Sequence, residues 1–117
     1  YLIDRVENRA GNVVKQFSPT IYKTLMSQEE ARILTDMMRK VVTQGTGSAL
    51  RTKAYEAAGK TGSAQFEDGN ESHAWFTGFA PVDNPQIVVS VVVEKGGSGG
   101  ATAAPIAKRI FDVYLSR

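Results

Sequence analysis

Cysteine is missing altogether from the 117 residues, which excludes disulfides and thiolate metal sites but does not fix a compartment. Histidine and tryptophan occur once each. Lys and Arg are scattered rather than clustered, and the formal net charge is only +2, which argues against a nucleic-acid partner. No apolar segment approaches the length of a membrane span; "IVVSVVVE" is strand-sized. The sequence opens on "YLIDRVENR", already patterned, without a signal peptide and without methionine, as expected of a piece of something longer.

What is present suffices for one modest core: 42% of residues are hydrophobic, enough for a single domain. "LIDRVENRAGNVVKQF" reads as a β-hairpin, because Gly and Asn supply the positive-φ positions of a tight reversal. "SPTIYKTLM" follows as a linker. "SQEE" is a capping box, Ser27 with Glu30, and it opens a helix over 28–44. Ala31, Leu34, Met37, Met38, Val41 and Val42 recur there at helical spacing, with the two methionines read as core packing. Gly45 is positioned to stop the helix in the left-handed capping conformation.

"YEAAGKTGSAQF", "SHAWFTGFAPV" and "QIVVSVVVE" read as strands joined by the turns "FEDGNES" and "DNP". The third is β-branched at nearly every position and is expected to be central. "KGGSGG" breaks the pattern. "ATAAPIAKRIFDVYLSR" closes as a helix, with Pro105 tolerable in its first turn and Ala103, Ile106, Ala107, Ile110, Val113 and Tyr114 on one apolar face. Short turns require antiparallel neighbours. The predicted class is α+β, an antiparallel sheet with helices packed on it, with 1–117 as a single unit.

Two glycine-rich stretches invite a nucleotide reading, and both fail. Gly59, Lys60 and Thr61 match the end of a phosphate loop, but Ala54 stands where its first glycine belongs. A returning strand, not a helix N-terminus, follows Thr61. "GGSGGA" has Thr102 in place of the last glycine of a dinucleotide fingerprint, and no parallel strand returns.

On a strand lining a cleft, "KTGS" is chemically coherent. Lys60 offers a cation, Thr61 and Ser63 offer hydroxyls, and Gly62 lets a substrate backbone approach. The Ser63 amide can form half of an oxyanion hole. Such an array suits a peptide-like substrate with a carboxylate beyond the reacting carbonyl. Gln65, on the same strand face as Ser63, is a secondary contact. A solvated edge strand with an ordinary lysine is what the tripeptide alone would suggest.

"AAGKTGSAQ", followed by "HAWFTGFAP", "IVVSVVVEKGG" and "AAPIAKRIFD", resembles the C-terminal end of a penicillin-binding protein transpeptidase domain. "RAGNVVKQFSP" and "MMRKVVTQGTGSA" are similar to the segments that precede the motif in that family. "GKTGSAQ" looks more like the monofunctional, class B members. The resemblance implies a parent enzyme, a serine D,D-transpeptidase that cross-links peptidoglycan stem peptides and is acylated by β-lactam antibiotics. It implies that Lys60 lines the site, that Thr61 and Ser63 hold the ligand carboxylate, and that the Ser63 amide serves the oxyanion hole. Many relatives have threonine at the position of Ser63; serine keeps both hydroxyl and amide. No metal or organic cofactor is implied. The parent would work on the extracytoplasmic face of the bacterial membrane, beside the cell-wall synthesis machinery, held by an anchor outside this chain.

Ser18, Ser27, Ser48, Ser63, Ser72, Ser90 and Ser98 all lack a lysine three residues on, and no S-x-N occurs. Nucleophile, base and second motif are therefore expected upstream, and the piece alone is expected to be inactive. The alternatives are a β-lactam sensor or D,D-carboxypeptidase relative, or a non-catalytic peptide-binding module of the same fold. A catalytic triad at His73 would need a serine and a carboxylate that nothing in the sequence places nearby, and it is read as structural. Trp75 and Phe79 should share one strand face, with Phe76 on the other, as packing residues. Glu67, Asp68 and Glu71 match no calcium loop and read as a solvated turn.

Overall fold

Asn8 and Gly11 make the first reversal of the chain. The structure, a computed structural model, describes residues 3–65 and 72–117. Strands β1 (Arg5–Glu7) and β2 (Val13–Gln16) pair antiparallel with a bulge between Val6 and Glu7. The Asn8 side chain accepts from the amides of Ala10 and Asn12, and Gly11 takes φ +82°. A side-chain carbonyl can replace a backbone acceptor in a turn, and glycine alone takes that φ freely. The expected hairpin is therefore present. Leu2 and the acidic turn of Glu67, Asp68 and Glu71 lie outside the described residues.

Helix α1 (Gln28–Thr43) opens on the predicted box. The Ser27 hydroxyl accepts from the Glu30 amide at 3.2 Å, and the Glu30 carboxylate accepts from the Ser27 amide at 2.7 Å. Those hydrogen bonds hold Glu30 below the usual carboxylate range. The far end differs from expectation, because Gly45 does not take a positive φ. Instead the amides of Gln44, Gly45 and Gly47 all reach the Val41 carbonyl, and a Cβ on Gly45 would lie 3.0 Å from that oxygen. Close approach, not handedness, selects glycine here. Val42 is buried and Met38 half-buried, but Leu34 and Met37 are exposed, which corrects the core reading for Met37. The helix packs on the third strand and on a 3₁₀ turn (Ser48–Leu50), a contact that takes up only part of its apolar stripe.

Strands β3 (Ala58–Gln65), β4 (Ser72–Ala80) and β5 (Ile87–Val93) form an antiparallel sheet in that spatial order. β4 is central, not β5 as the composition suggested. A meander lays each strand beside its predecessor, and β-branching did not mean burial on both sides: Val89 is buried whereas Val88 and Val92 are exposed. The pleat gives the sheet two faces. Gly59, Thr61, Ser63, Ala74, Phe76 and Val89 share one; Lys60, Gly62, Trp75, Thr77 and Val92 share the other.

Helix α2 (Ala104–Leu115) follows a π-helical turn (Gly99–Ala103), with Pro105 in its first turn as expected. Its packed side is Ala103, Ala104, Ala107 and Phe111, which form one core with Phe76, Leu50, Ala74, Ala80 and Val89. This corrects the predicted face, of which Ile106, Ile110, Val113 and Tyr114 are exposed. Alanines let the helix approach the other elements closely, and Phe111 fills the deeper space, so the bulkier stripe stays outside.

Polar ties brace the segment that leads into β3. Arg39 pairs with Glu56 at 2.6 Å, and the Arg51 guanidinium donates to the Val42 carbonyl at 3.0 Å. The Tyr55 hydroxyl donates to Asp112 at 2.7 Å, and its ring meets Phe111 edge-on at 6.3 Å between centroids. Lys108 donates to the second Asp112 oxygen at 2.6 Å.

Candidate active-site strand

The "KTGS" stretch occupies the middle of β3, one of the two outer strands of the described three-stranded sheet. A phosphate loop would require these residues to curl round an anion at a helix start, and they run extended instead. The second glycine segment spends its polar groups on the fold. The Gly97 amide donates to the Ser72 carbonyl at 2.9 Å and the Ser72 hydroxyl to the Gly97 carbonyl at 3.0 Å. The Thr102 hydroxyl donates to the Gly96 carbonyl at 2.8 Å.

Alternation divides the predicted site residues between the two faces. Thr61, Ser63 and Gln65 lie on one, and Lys60 and Gly62 on the other. The Lys60 ammonium crosses back to the strand, donating to the Thr61 carbonyl, so cation and backbone meet at Thr61. Thr61 is buried, with 8% of its surface exposed, whereas Lys60, Ser63 and Gln65 are exposed. Gly62 is half-buried: a Cβ there would touch the Cβ of Trp75 at 3.3 Å. Trp75 and Phe76 fall on opposite faces, as the alternation predicted, but only Phe76 is buried; Trp75 is exposed, which corrects its reading as a packing residue.

Two further segments reach the hydroxyl face of β3. Thr46, in the loop after α1, shares a hydrogen bond of 2.5 Å with Thr61, hydroxyl to hydroxyl, in which either can donate. The Gly99 amide donates to the Ser63 hydroxyl at 3.4 Å. Gly99 is pressed so closely on the sheet that a Cβ would lie 2.2 Å from the Trp75 carbonyl oxygen and 2.4 Å from that of Gly62. A Cβ on Gly100 would lie 2.4 Å from the Thr46 carbonyl oxygen. The loop of Thr46 and the turn of Gly99 therefore close on β3 together. In the sequence "QGTG" reads as a helix stop within a family-like segment and "GGSGG" as a break and a failed dinucleotide fingerprint, with no role for Thr46; the signal for it is a hydroxyl between two glycines. His73 accepts from the Lys95 amide through Nδ1 at 3.1 Å, consistent with a structural role.

The apolar groove of about 470 Å³ on α2, lined by Ile87, Ile106, Ile110 and Val113 among others, shares no residue with the β3 margin. Among the described residues, no group of His, Asp or Glu is arranged to hold a metal ion.

Comparison with known proteins gives consistent matches. The family model described as "Penicillin binding protein transpeptidase domain" matches residues 1–112. A peptidoglycan D,D-transpeptidase MrdA from Haemophilus influenzae is 40% identical over 88 residues, 62% of this chain and 14% of that protein. Stage V sporulation protein D of Bacillus subtilis is 40% identical over 106 residues, 83% of this chain and 16% of that protein. Among solved structures, penicillin-binding protein A from M. tuberculosis, as its imipenem acyl-enzyme complex, superposes with a TM-score of 0.79 at 26% identity, covering 98% of this chain and 26% of that one. The chain thus spans about a sixth or less of the length of these two curated relatives.

Proposed function

Since the chain belongs to the penicillin-binding protein transpeptidase family, we propose that it is the C-terminal part of a serine D,D-transpeptidase domain. The parent cross-links peptidoglycan stem peptides and is acylated by β-lactams. The observation that carries this reading is the position of K-T-G-S on an outer strand of the described sheet, hydroxyls on one side and lysine curled over its edge. In the relative from M. tuberculosis, imipenem is held as an acyl-enzyme; the same class of covalent adduct is expected here.

In this reading β3 is one wall of the cleft. The Gly62 amide nitrogen, the Gly62 carbonyl oxygen and the Trp75 carbonyl oxygen all lie within 3 Å of one point beside Gly99. That convergence supports inward pairing of Gly62 with β4, and alternation along an antiparallel strand then turns the Ser63 amide outward. An outward amide at Ser63 supplies one oxyanion donor, stabilising charge as it develops on the scissile carbonyl oxygen. Thr61 and Ser63 hold the ligand carboxylate, Lys60 adds positive charge beside it, and Gln65 extends the contact along the strand. Gly62 keeps the strand free of a side chain where the acyl group passes.

The attacking serine and its lysine base come from sequence outside these residues, since no Ser-x-x-Lys or S-x-N is present here. The full-length enzyme acts at the extracytoplasmic face of the membrane, with the cell-wall synthesis machinery. Fluorescent-penicillin labelling tests the assignment. The full-length protein should take a stable covalent label that unlabelled penicillin competes away, and the 117-residue chain alone should take none. A full-length protein that stays unlabelled would refute the transpeptidase reading.

A further inference from the structure

We infer that Thr46 is a positioning residue for Thr61, setting the direction of its hydroxyl proton towards the carboxylate of an anionic acyl ligand. The inference rests on the transpeptidase reading above and extends it to a residue outside the Lys-Thr-Gly stretch. Each hydroxyl carries one proton and two acceptor lone pairs. The two oxygens lie 2.5 Å apart, so one proton is committed between them. If Thr61 donates to Thr46, Thr61 has only lone pairs left and repels a carboxylate. If Thr46 donates to Thr61, the Thr61 proton is free to donate outward. An anion beside Thr61 selects the second arrangement, in which the Thr46 proton enriches the polarity of the bond to the carboxylate.

The placement of Thr46 is built into the backbone. The amides of Gly45 and Gly47, on either side of it, both donate to the Val41 carbonyl, which pins the loop to the end of α1. A Cβ at either glycine would come within 3.2 Å of that oxygen. On the other side Gly100 leaves room for the Thr46 carbonyl, where a Cβ would lie 2.4 Å away. Thr46 is thus the one side chain of a Gly-Thr-Gly loop held against β3, and that side chain ends on the Thr61 hydroxyl.

The test is a double-mutant cycle in the full-length protein, read as the second-order rate of acylation by benzylpenicillin. Thr46→Val should slow acylation about tenfold, the scale of a weakened charge-assisted hydrogen bond. Thr46→Ser, which keeps the hydroxyl, should stay within about threefold of wild type. In a Thr61→Val background, Thr46→Val should have no further effect, because nothing remains for it to orient. Thermal melts identify a variant that does not fold; Thr46→Ala then takes the place of the valine in the cycle. An unchanged rate in Thr46→Val, or the same loss in both backgrounds, would overturn the inference and leave the transpeptidase reading intact. A wild-type protein that is not acylated at all would overturn both.

Discussion

Gly59 and Gly78 stand directly opposite one another in β3 and β4, and the ring of Phe76 fills the space that both leave. A Cβ on Gly59 would lie 2.4 Å from Phe76 Cζ and 2.8 Å from the Thr77 carbonyl oxygen. One on Gly78 would lie 2.5 Å from the Ala58 carbonyl oxygen. Backbone cannot yield as a flexible side chain can, so alanine at either position should destabilise the protein by about 2 kcal/mol, the range of overpacked cores. Denaturant midpoints measure it. Neutral substitutions would show that the ring and strands shift freely.

Gly99→Ala should act on the candidate site as well as on stability. The added methyl meets the Trp75 and Gly62 carbonyls, one residue before Ser63. Either the turn lifts off, removing the Gly99 donor from Ser63, or the strand shifts. The expected outcome is slower β-lactam acylation of the full-length protein by an order of magnitude or more, with a lowered melting temperature. Wild-type acylation in this variant would mean the turn does not support β3.

The Tyr55–Asp112–Lys108 cluster should leave a signature in the pH dependence of stability. Hydrogen bonds from Lys108 and then Tyr55 hold Asp112 below the ordinary carboxylate value of about 3.9. A depressed folded value contributes stability above the unfolded pKa, and that contribution is lost as pH falls through the folded one. Tyr55 has the opposite sign: burial first, then Asp112, pushes its hydroxyl up, so its contribution is full below the unfolded value near 10 and is lost as pH rises through the folded one. Asp112→Asn should therefore flatten the acid limb of the stability profile. Tyr55→Phe should cost about 1 kcal/mol at neutral pH. An acid limb unchanged by Asp112→Asn would show that the cluster contributes nothing there.

The face of the sheet opposite α2 exposes Trp75, Val88 and Val92, with Trp75 and Val92 directly paired. Adjoining apolar side chains of this size seek cover. The isolated chain should self-associate in sedimentation velocity runs at tens of micromolar, and Trp75→Gln with Val92→Lys should shift it towards monomer. A concentration-independent monomer with a cooperative melt would remove that expectation.

The capping box at Ser27 and Glu30 was legible because its partners are three residues apart, and the Asn8–Gly11 reversal because turn chemistry is local. The place of "KTGS" on a strand was equally legible, from the turn that follows it. Less was legible wherever one element meets another. The apolar stripe of α2 named the right helix and placed Ala103 and Ala107 correctly, but mostly marked the wrong side, because hydrophobicity does not reveal that Ala104 and Phe111 fit this core better than Ile106 and Ile110. The β-branched run of β5 suggested a central strand, and the meander made it an outer one among the described residues. Thr46 went unread because its partner lies across the fold.

The sequence by itself determined the elements, their order and the chemistry available on β3, since periodicity, caps and turns depend on neighbours a few residues apart. Only the tertiary structure decided which hydroxyl meets Thr61 and which glycines must stay bare. Those are contacts between distant segments, set by how closely two backbones can approach, and no local pattern encodes that distance.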